Sequence, residues 1–311
     1  MIDYIGNGAY CYANSAAMLL RTAGEEVGPS QIEVLTGVGL GAFFGGEFLF
    51  FSQPVGAPDI GLTRAFHTLG FDVKEGSLPE GSNFPLEELR ETLLQGPAIL
   101  GPLDMGFLTY LPNHPYAAGS DHYVLALALK KEEVVIHDPA GCPWITLPCK
   151  QLEKAWRAER IQYRRGVFRY WTQPVRIAKP SQEEIRRIAC SQFQEDYRNS
   201  LALAREQGSP VGAEAIREAA DRLESTGWIE GQWEHLVHFA LPLGAKRAMD
   251  YGAFFAGMDL ELARLKREQA RGFGAAHVAA MARDHKQLAN RLLELADMEG
   301  AFAKALMKFS I

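Results

Sequence analysis

The sequence predicts an α+β domain over residues 1–177 followed by an all-α domain over residues 178–311. Three observations carry that prediction. Before residue 177, short apolar runs rich in β-branched and aromatic residues alternate with Gly- and Pro-containing turns. After it, apolar residues recur at helical spacing with only Gly-containing breaks. Between the two, "KPSQEEIRRIACSQFQEDY" opens with a capping box, in which Ser181 caps and Glu184 reaches back, so a helix starts just past the boundary. At 311 residues the chain has room for two ordinary domains.

The elements follow in order. "CYANSAAMLLRTAG" comes directly after the break "GNG" and reads as a helix over 11–23 that ends at Gly24. Its alanines and serine suit close packing on a sheet. Further helices are predicted over 30–36, 60–69, 85–94 and 149–157. Strands are predicted over 98–103 ("AILGPL"), 122–129 ("HYVLALAL"), 133–138 ("EVVIHD") and 166–177 ("GVFRYWTQPVRI"). The middle two are joined by a charged turn and make an antiparallel hairpin. In the second half, Ile185, Ile188, Ala189 and Phe193 mark the first helical face. "GAEAIREAADRLEST", "WIEGQWEHLVHFALPL" and two longer helical segments follow to the end of the chain.

Composition narrows the function classes. Apolar residues make up 47% and charged residues 23%, the balance of a globular protein. A formal net charge of −6 argues against nucleic acid as a partner, which needs a strong positive field. No apolar run approaches the roughly 20 residues of a membrane span. The N-terminus lacks the basic start and apolar core of a secretory signal. The four cysteines, Cys11, Cys142, Cys149 and Cys190, form no C-x-x-C pair. They suggest neither a zinc ribbon nor a disulfide framework, and a reduced, cytoplasmic setting is expected.

Cys11 is the residue with the most chemical promise. A thiol becomes a good nucleophile as thiolate, which a helix N-terminus or a neighbouring imidazolium favours. The predicted helix start supplies the first condition, and its free backbone N–H groups point where an oxyanion would form. Asn7 and Asn14 are candidate side-chain donors nearby, and Tyr10 and Asn14 are expected to border the substrate. Equally, a free cysteine is a small hydrophobe that cores often bury.

The second condition comes from "SDHYVLALALKKEEVVIHDPAG". His122 opens one strand of the hairpin and Asp138 closes the other, so both lie at one sheet edge, where the carboxylate can orient the ring. Side-chain alternation adds a requirement. For the two to share a face, the connecting loop should contain three or five residues, because an even loop puts them on opposite faces. Other residues compete for these parts. His137 alternates away from Asp138, while His67 and His114 sit in a predicted helix and a Pro-bounded loop. Asp104 and Asp121 are alternative carboxylates, with Asp121 facing away from His122. A metal site from His122, His137 and Asp138 is disfavoured, because its ligands would straddle the hairpin.

The order Cys, His, Asp, with the cysteine on an early helix, resembles papain-like cysteine enzymes and, within them, the bacteriocin-processing peptidase-like branch. The segments "CYANSAAMLLRTAGEEVGPSQIEVLTGVGLGAFF", "LDMGFLTYLPNHPY" and "DHYVLALALKKEEVVIHDPAG" together resemble the N-terminal domain of the butirosin biosynthesis protein H family. The resemblance covers most of residues 8–175. It implies a papain-like catalytic domain with an antiparallel sheet. The implied reaction passes an acyl group from an acyl carrier protein thioester to a small-molecule amine, in secondary-metabolite biosynthesis. On that basis Cys11 is the acylated nucleophile, His122 the general base and acid, and Asp138 the orienter. The acyl group arrives on phosphopantetheine, so no resident cofactor or metal is expected. Two positions depart from the pattern. Many family members have His directly before the nucleophile, where this chain has Tyr10. The related peptidases have Gln six residues upstream, where this chain has Ile5, which leaves Asn7 as the nearest side chain for the oxyanion. A peptidase or amidase on the same site, or a non-catalytic binding module, are the alternatives.

Three further segments bear on this expectation. "GVGLGAFFGGEFLFF" (37–51) lacks the spacing of a phosphate loop. Its glycines suit close packing, or its aromatics an acyl channel. Tyr110 lies on a loop leading to His122 and is expected at the substrate wall. Residues 150–176 hold eight Lys or Arg against two Glu. This is either a solvated face or a docking surface for an acidic carrier protein through Arg157, Arg160, Arg164 and Arg165. The long C-terminal helices leave room for a homodimer.

Overall fold

The computed structural model describes residues 2–6 and 8–310. From the N-terminus run α1 (Cys11–Arg21), α2 (Pro29–Thr36), β1 (Phe43–Gly45), β2 (Phe48–Phe50), α3 (Pro58–Thr68) and β3 (Phe71–Leu78). Next come α4 (Leu86–Gln95), β4 (Ala98–Asp104), β5 (Asp121–Lys130), β6 (Glu133–Asp138), β7 (Cys142–Pro148), α5 (Cys149–Arg157) and β8 (Val167–Arg176). The remainder is α6 (Gln182–Gln207), α7 (Ala213–Ser225), α8 (Glu230–His235), α9 (Leu241–Phe255), α10 (Leu260–Met281) and α11 (His285–Lys308). The chain is therefore α+β, with a helical C-terminal region.

These elements fall into two compact units, Met1–Ile32 with Pro58–Lys179, and Glu33–Ala57 with Pro180–Ile311. The sequence suggests a single crossing near residue 177. The structure instead assigns Glu33–Ala57 to the second unit, and the reason is packing. Ala42, Leu49 and Phe51 join the helical core with Phe273, Leu288, Leu292 and Leu295. The Phe51 ring meets Phe273 edge-on at 4.6 Å between centroids. Buried Glu33 accepts a hydrogen bond from Arg247 Nε at 2.8 Å. The Gly/Phe-rich segment thus forms the β1–β2 hairpin of the second unit, with Phe43 stacked on Phe50. The predicted capping box at Ser181 and Glu184 is present at the start of α6.

The first unit is built on a six-stranded antiparallel sheet in the order β3-β8-β4-β5-β6-β7. Leu100, Val124, Ala126, Val134 and Ile136 of the inner strands form a core with Leu89 and Leu93 of α4 and Leu152, Ala155 and Trp156 of α5. Helix α1 packs on β5 and β4. Every residue from Tyr12 to Leu20 is buried, and the small residues Ala13, Ser15, Ala16 and Ala17 allow that close approach. Met18, Leu19 and Leu20 are fully enclosed, each stabilising the packing by roughly 1.5–3 kcal/mol. This packing holds the first residue of α1 near the ends of the central strands.

Candidate active site

Three elements converge on the candidate site: the N-terminus of α1, the start of β5 and the end of β6. Cys11 is the first residue of α1 and is half-buried. Tyr10, just before it, adopts the left-handed conformation with φ 58° and ψ 50°. A non-glycine residue there carries about 1 kcal/mol of strain, of the kind functional sites concentrate. The turn is fixed from inside the helix: the Asn14 amide donates to the carbonyls of Ala9 and Tyr10. Tyr10 and Asn14, expected beside the substrate, are 4% and 0% exposed. They belong to the setting of the helix start, which corrects that expectation. Asn7, the expected oxyanion donor, lies outside the described residues. Ile5 is half-buried.

His122 and Asp138 meet as the hairpin suggests, by a route the sequence does not reveal. The connecting turn is the two-residue Lys131–Glu132, an even loop, with Lys131 at φ 56°. Such a loop should separate the two side chains. A one-residue shift in register inside the hairpin reverses the outcome. The pairs Lys130↔Glu133, Leu129↔Val134 and Ala128↔Val135 give way to Ala126↔Ile136 and Leu125↔His137. The additional residue, Leu127, is absorbed on β5 as in a bulge. Continuing that register brings Asp138 level with Val124, on the face that His122 shares. The expectation of a three- or five-residue loop is thereby corrected.

The resulting geometry is tight. His122 Nε2 lies 2.6 Å from Asp138 Oδ1, with the two residues 6% and 0% exposed. Asp138 Oδ1 also accepts from the backbone N–H of Ala140 at 2.7 Å, and Oδ2 accepts from the Tyr110 hydroxyl at 2.7 Å. Tyr4 braces the same loop: its hydroxyl donates to the Asp138 carbonyl at 2.8 Å and accepts from Gly141 N–H at 2.9 Å. With Nε2 committed to Asp138, Nδ1 is the ring nitrogen left to serve Cys11, whose side chain favours the protonated ring.

The electrostatics follow from these contacts. Burial disfavours a charged His122 ring. The charge of Cys11 and the hydrogen bonds to Asp138 and Cys11 outweigh burial, so the ring's pKa stands well above its ordinary value. Burial likewise pushes Asp138 upward. The hydrogen bond and charge of His122, with the Ala140 N–H and the Tyr110 hydroxyl, bring it below the usual carboxylate range. A buried carboxylate beside a ring that readily holds a proton has the chemistry to orient that ring.

The competing residues have other engagements. His137 points away: its Nδ1 accepts from Trp144 N–H at 3.1 Å and its Nε2 donates to the Ile2 carbonyl at 3.3 Å. Asp121 accepts from Tyr163 at 2.8 Å. Asp104 gathers Gly106 N–H, Gly119 N–H and Arg160. His67 is exposed, and His114 sits against the Gly106 carbonyl at 3.2 Å. Tyr110, expected to line the substrate, puts its hydroxyl on Asp138 instead. Nothing in its loop sequence signals this, since the partner lies 28 residues away.

The expected docking arginines are matched by groups of the same unit. Arg157 donates to Glu153 and the Ser82 carbonyl, Arg160 to Asp104, Arg164 to Glu80, and Arg165 to both oxygens of Asp59. The local excess of basic residues is therefore largely neutralised. Among the described residues, no cluster of three or more His, Cys, Asp or Glu could hold a metal ion, and no helix is long and apolar enough to cross a membrane.

Comparison with known proteins adds two findings. A family model described as the YobF C-terminal domain matches residues 205–307, outside the residues of the candidate site. The whole chain is similar to the uncharacterized protein YobF of Bacillus subtilis (strain 168). The two are 40% identical over 309 residues, which cover 99% of each chain.

Proposed function

The chain belongs to the YobF family, and we propose that it is a papain-like cysteine enzyme that moves acyl groups through a Cys11-His122-Asp138 triad. The observation that carries this reading is the pairing of His122 with Asp138 at 2.6 Å, while Cys11, at a helix start, raises the proton affinity of the same ring. Structural histidines need one good partner. This one has a carboxylate behind it and a thiol in front, the arrangement nucleophilic catalysis requires.

In the proposed cycle the Cys11 thiol passes its proton to His122 and its sulfur attacks the carbonyl carbon of an acyl thioester. The oxyanion forms at the N-terminus of α1, where the first backbone N–H groups have no intrahelical acceptor. The C–S bond to the donor breaks, and the departing thiolate takes the proton held on His122. An amine nitrogen then attacks the acyl-Cys11 carbonyl and gives its proton to His122. The Cys11–acyl bond breaks, amide leaves, and the thiol and imidazole return to their starting state. Asp138 holds the ring in one orientation throughout and offsets its positive charge.

The donor class, an acyl group on a phosphopantetheine carrier protein, and the amine acceptor rest on the resemblance to the butirosin biosynthesis protein H family. They do not rest on the arginines of residues 157–165, which already have partners. The test is to incubate the full chain with a panel of acyl N-acetylcysteamine thioesters and read intact mass. An acyl adduct on the wild type that is missing from Cys11→Ala, and that an added amine discharges as amide, is expected. Discharge as free acid without amine would assign the site to hydrolysis. Absence of any Cys11-dependent adduct or thioester consumption would overturn the enzyme reading.

A further inference from the structure

Asp138 has three side-chain or backbone donors, and only one of them belongs to the triad. His122 Nε2 and Ala140 N–H share Oδ1, while among the described residues Tyr110 alone satisfies Oδ2. A carboxylate rotates easily about its terminal bond, where the torsional preference is broad. Without a donor on Oδ2, the plane of the carboxylate is held only from its Oδ1 side, by His122 and Ala140. We propose that Tyr110 is a positioning residue that locks the Asp138 carboxylate, keeping one oxygen on His122 while Cys11 reacts. This rests on the triad reading above.

The loop carrying Tyr110 is built to hold it still. Asp104 Oδ1 accepts from Gly106 N–H at 2.9 Å and Gly119 N–H at 3.0 Å, closing the loop between β4 and β5 at its base. Arg160 Nε fixes the other oxygen of Asp104 at 2.5 Å and stacks over Phe107. Leu108 and Leu111, on either side of Tyr110, are buried in the core of the unit. The tyrosine is thus clamped at both ends of its turn, and its hydroxyl has one destination. Burial and the facing Asp138 charge raise the Tyr110 pKa, so the hydroxyl stays protonated and remains the donor. A donor on an ionised carboxylate favours its charged form, and losing one lets the acid protonate at higher pH.

The experiment is the pH profile of Cys11 alkylation by iodoacetamide, read by peptide mass in the full chain, for wild type, Tyr110→Phe, Asp138→Asn and the double variant. Melting temperature serves as the folding control. Tyr110→Phe is expected to move the acid limb upward by about one pH unit, the value of one hydrogen bond to a charged group. It should have no further effect in the Asp138→Asn background. A Tyr110→Phe profile that superimposes on wild type while Asp138→Asn is displaced overturns the proposal and leaves the triad reading standing. If Asp138→Asn also leaves the profile unmoved, the triad reading fails and the role of Tyr110 fails with it.

Discussion

Replacing Asp138 with alanine removes the shared acceptor of His122 Nε2, Ala140 N–H and the Tyr110 hydroxyl, with Asp138 itself fully buried and His122 nearly so. Two orphaned neutral donors cost about 1 kcal/mol or more each, and breaking a buried charge pair costs about 3–5 kcal/mol in total. Asp138→Ala should therefore lower stability by about 3–5 kcal/mol at pH 6. Asp138→Asn keeps an acceptor at Oδ1, and Tyr110 can turn to accept from the amide, so its cost should be about 1–2 kcal/mol. The pH dependence has two sides. The folded-state pKa of Asp138 is lowered, so its stabilisation is present above the unfolded value near 3.8 and is lost as pH falls through the folded value. The pKa of His122 is raised, so its stabilisation is complete below the unfolded value near 6.5 and is lost as pH rises through the folded value. The gap between wild type and Asp138→Asn should be widest between about pH 4 and 6.5 and should narrow on both sides. Urea unfolding across that range measures it. A gap that is flat with pH, or Asn and Ala variants of equal stability, would refute this account of the pair.

Two further outcomes follow from the packing. Arg247→Met removes the ion-pair partner 2.8 Å from the buried Glu33 carboxylate and should cost about 3–5 kcal/mol in urea unfolding, much of it recovered by adding Glu33→Leu. A single variant within 1 kcal/mol of wild type would remove the reason given for placing Glu33–Ala57 in the second unit. Deleting Leu127 removes the register shift in the hairpin and should turn His122 away from Asp138. Far-UV circular dichroism should then stay close to wild type while Cys11 alkylation slows by at least tenfold; retained reactivity contradicts the parity argument.

The sequence reads well wherever local chemistry decides the outcome. The helix starting at Cys11, the strand spans containing His122 and Asp138 and the Ser181 cap all depend on neighbours within a few residues. The sequence leaves the short β1–β2 hairpin unmarked, and in the six-stranded sheet the strands it fails to mark, β3 and β7, are the two edges. Edge strands carry the Lys, Glu and Pro seen in "FDVKEGSL" and "CPWITLP", which blunt the alternation that identifies inner strands. Leu127 is similarly hidden, because a bulge in an apolar run such as "VLALAL" disturbs no polar pattern. The allegiance of Glu33–Ala57, the hydroxyl of Tyr110 and the partners of Arg157, Arg160, Arg164 and Arg165 depend on residues far away in the chain. Periodicity carries no information about them.

The central claim is that Cys11 differs in kind from the other three thiols, and competition within one molecule measures this directly. Burial and Asp138 push the Cys142 thiol up against the opposing pull of His122, burial and Glu132 raise Cys149, and burial pushes Cys190 up to about 12. Limiting iodoacetamide at pH 7, followed by peptide mapping, should label Cys11 first and at least about tenfold faster than Cys142, with Cys190 slowest. The advantage should disappear in His122→Ala. Equal labelling of Cys11 and Cys142, or a rate at Cys11 that ignores the loss of His122, would contradict the account.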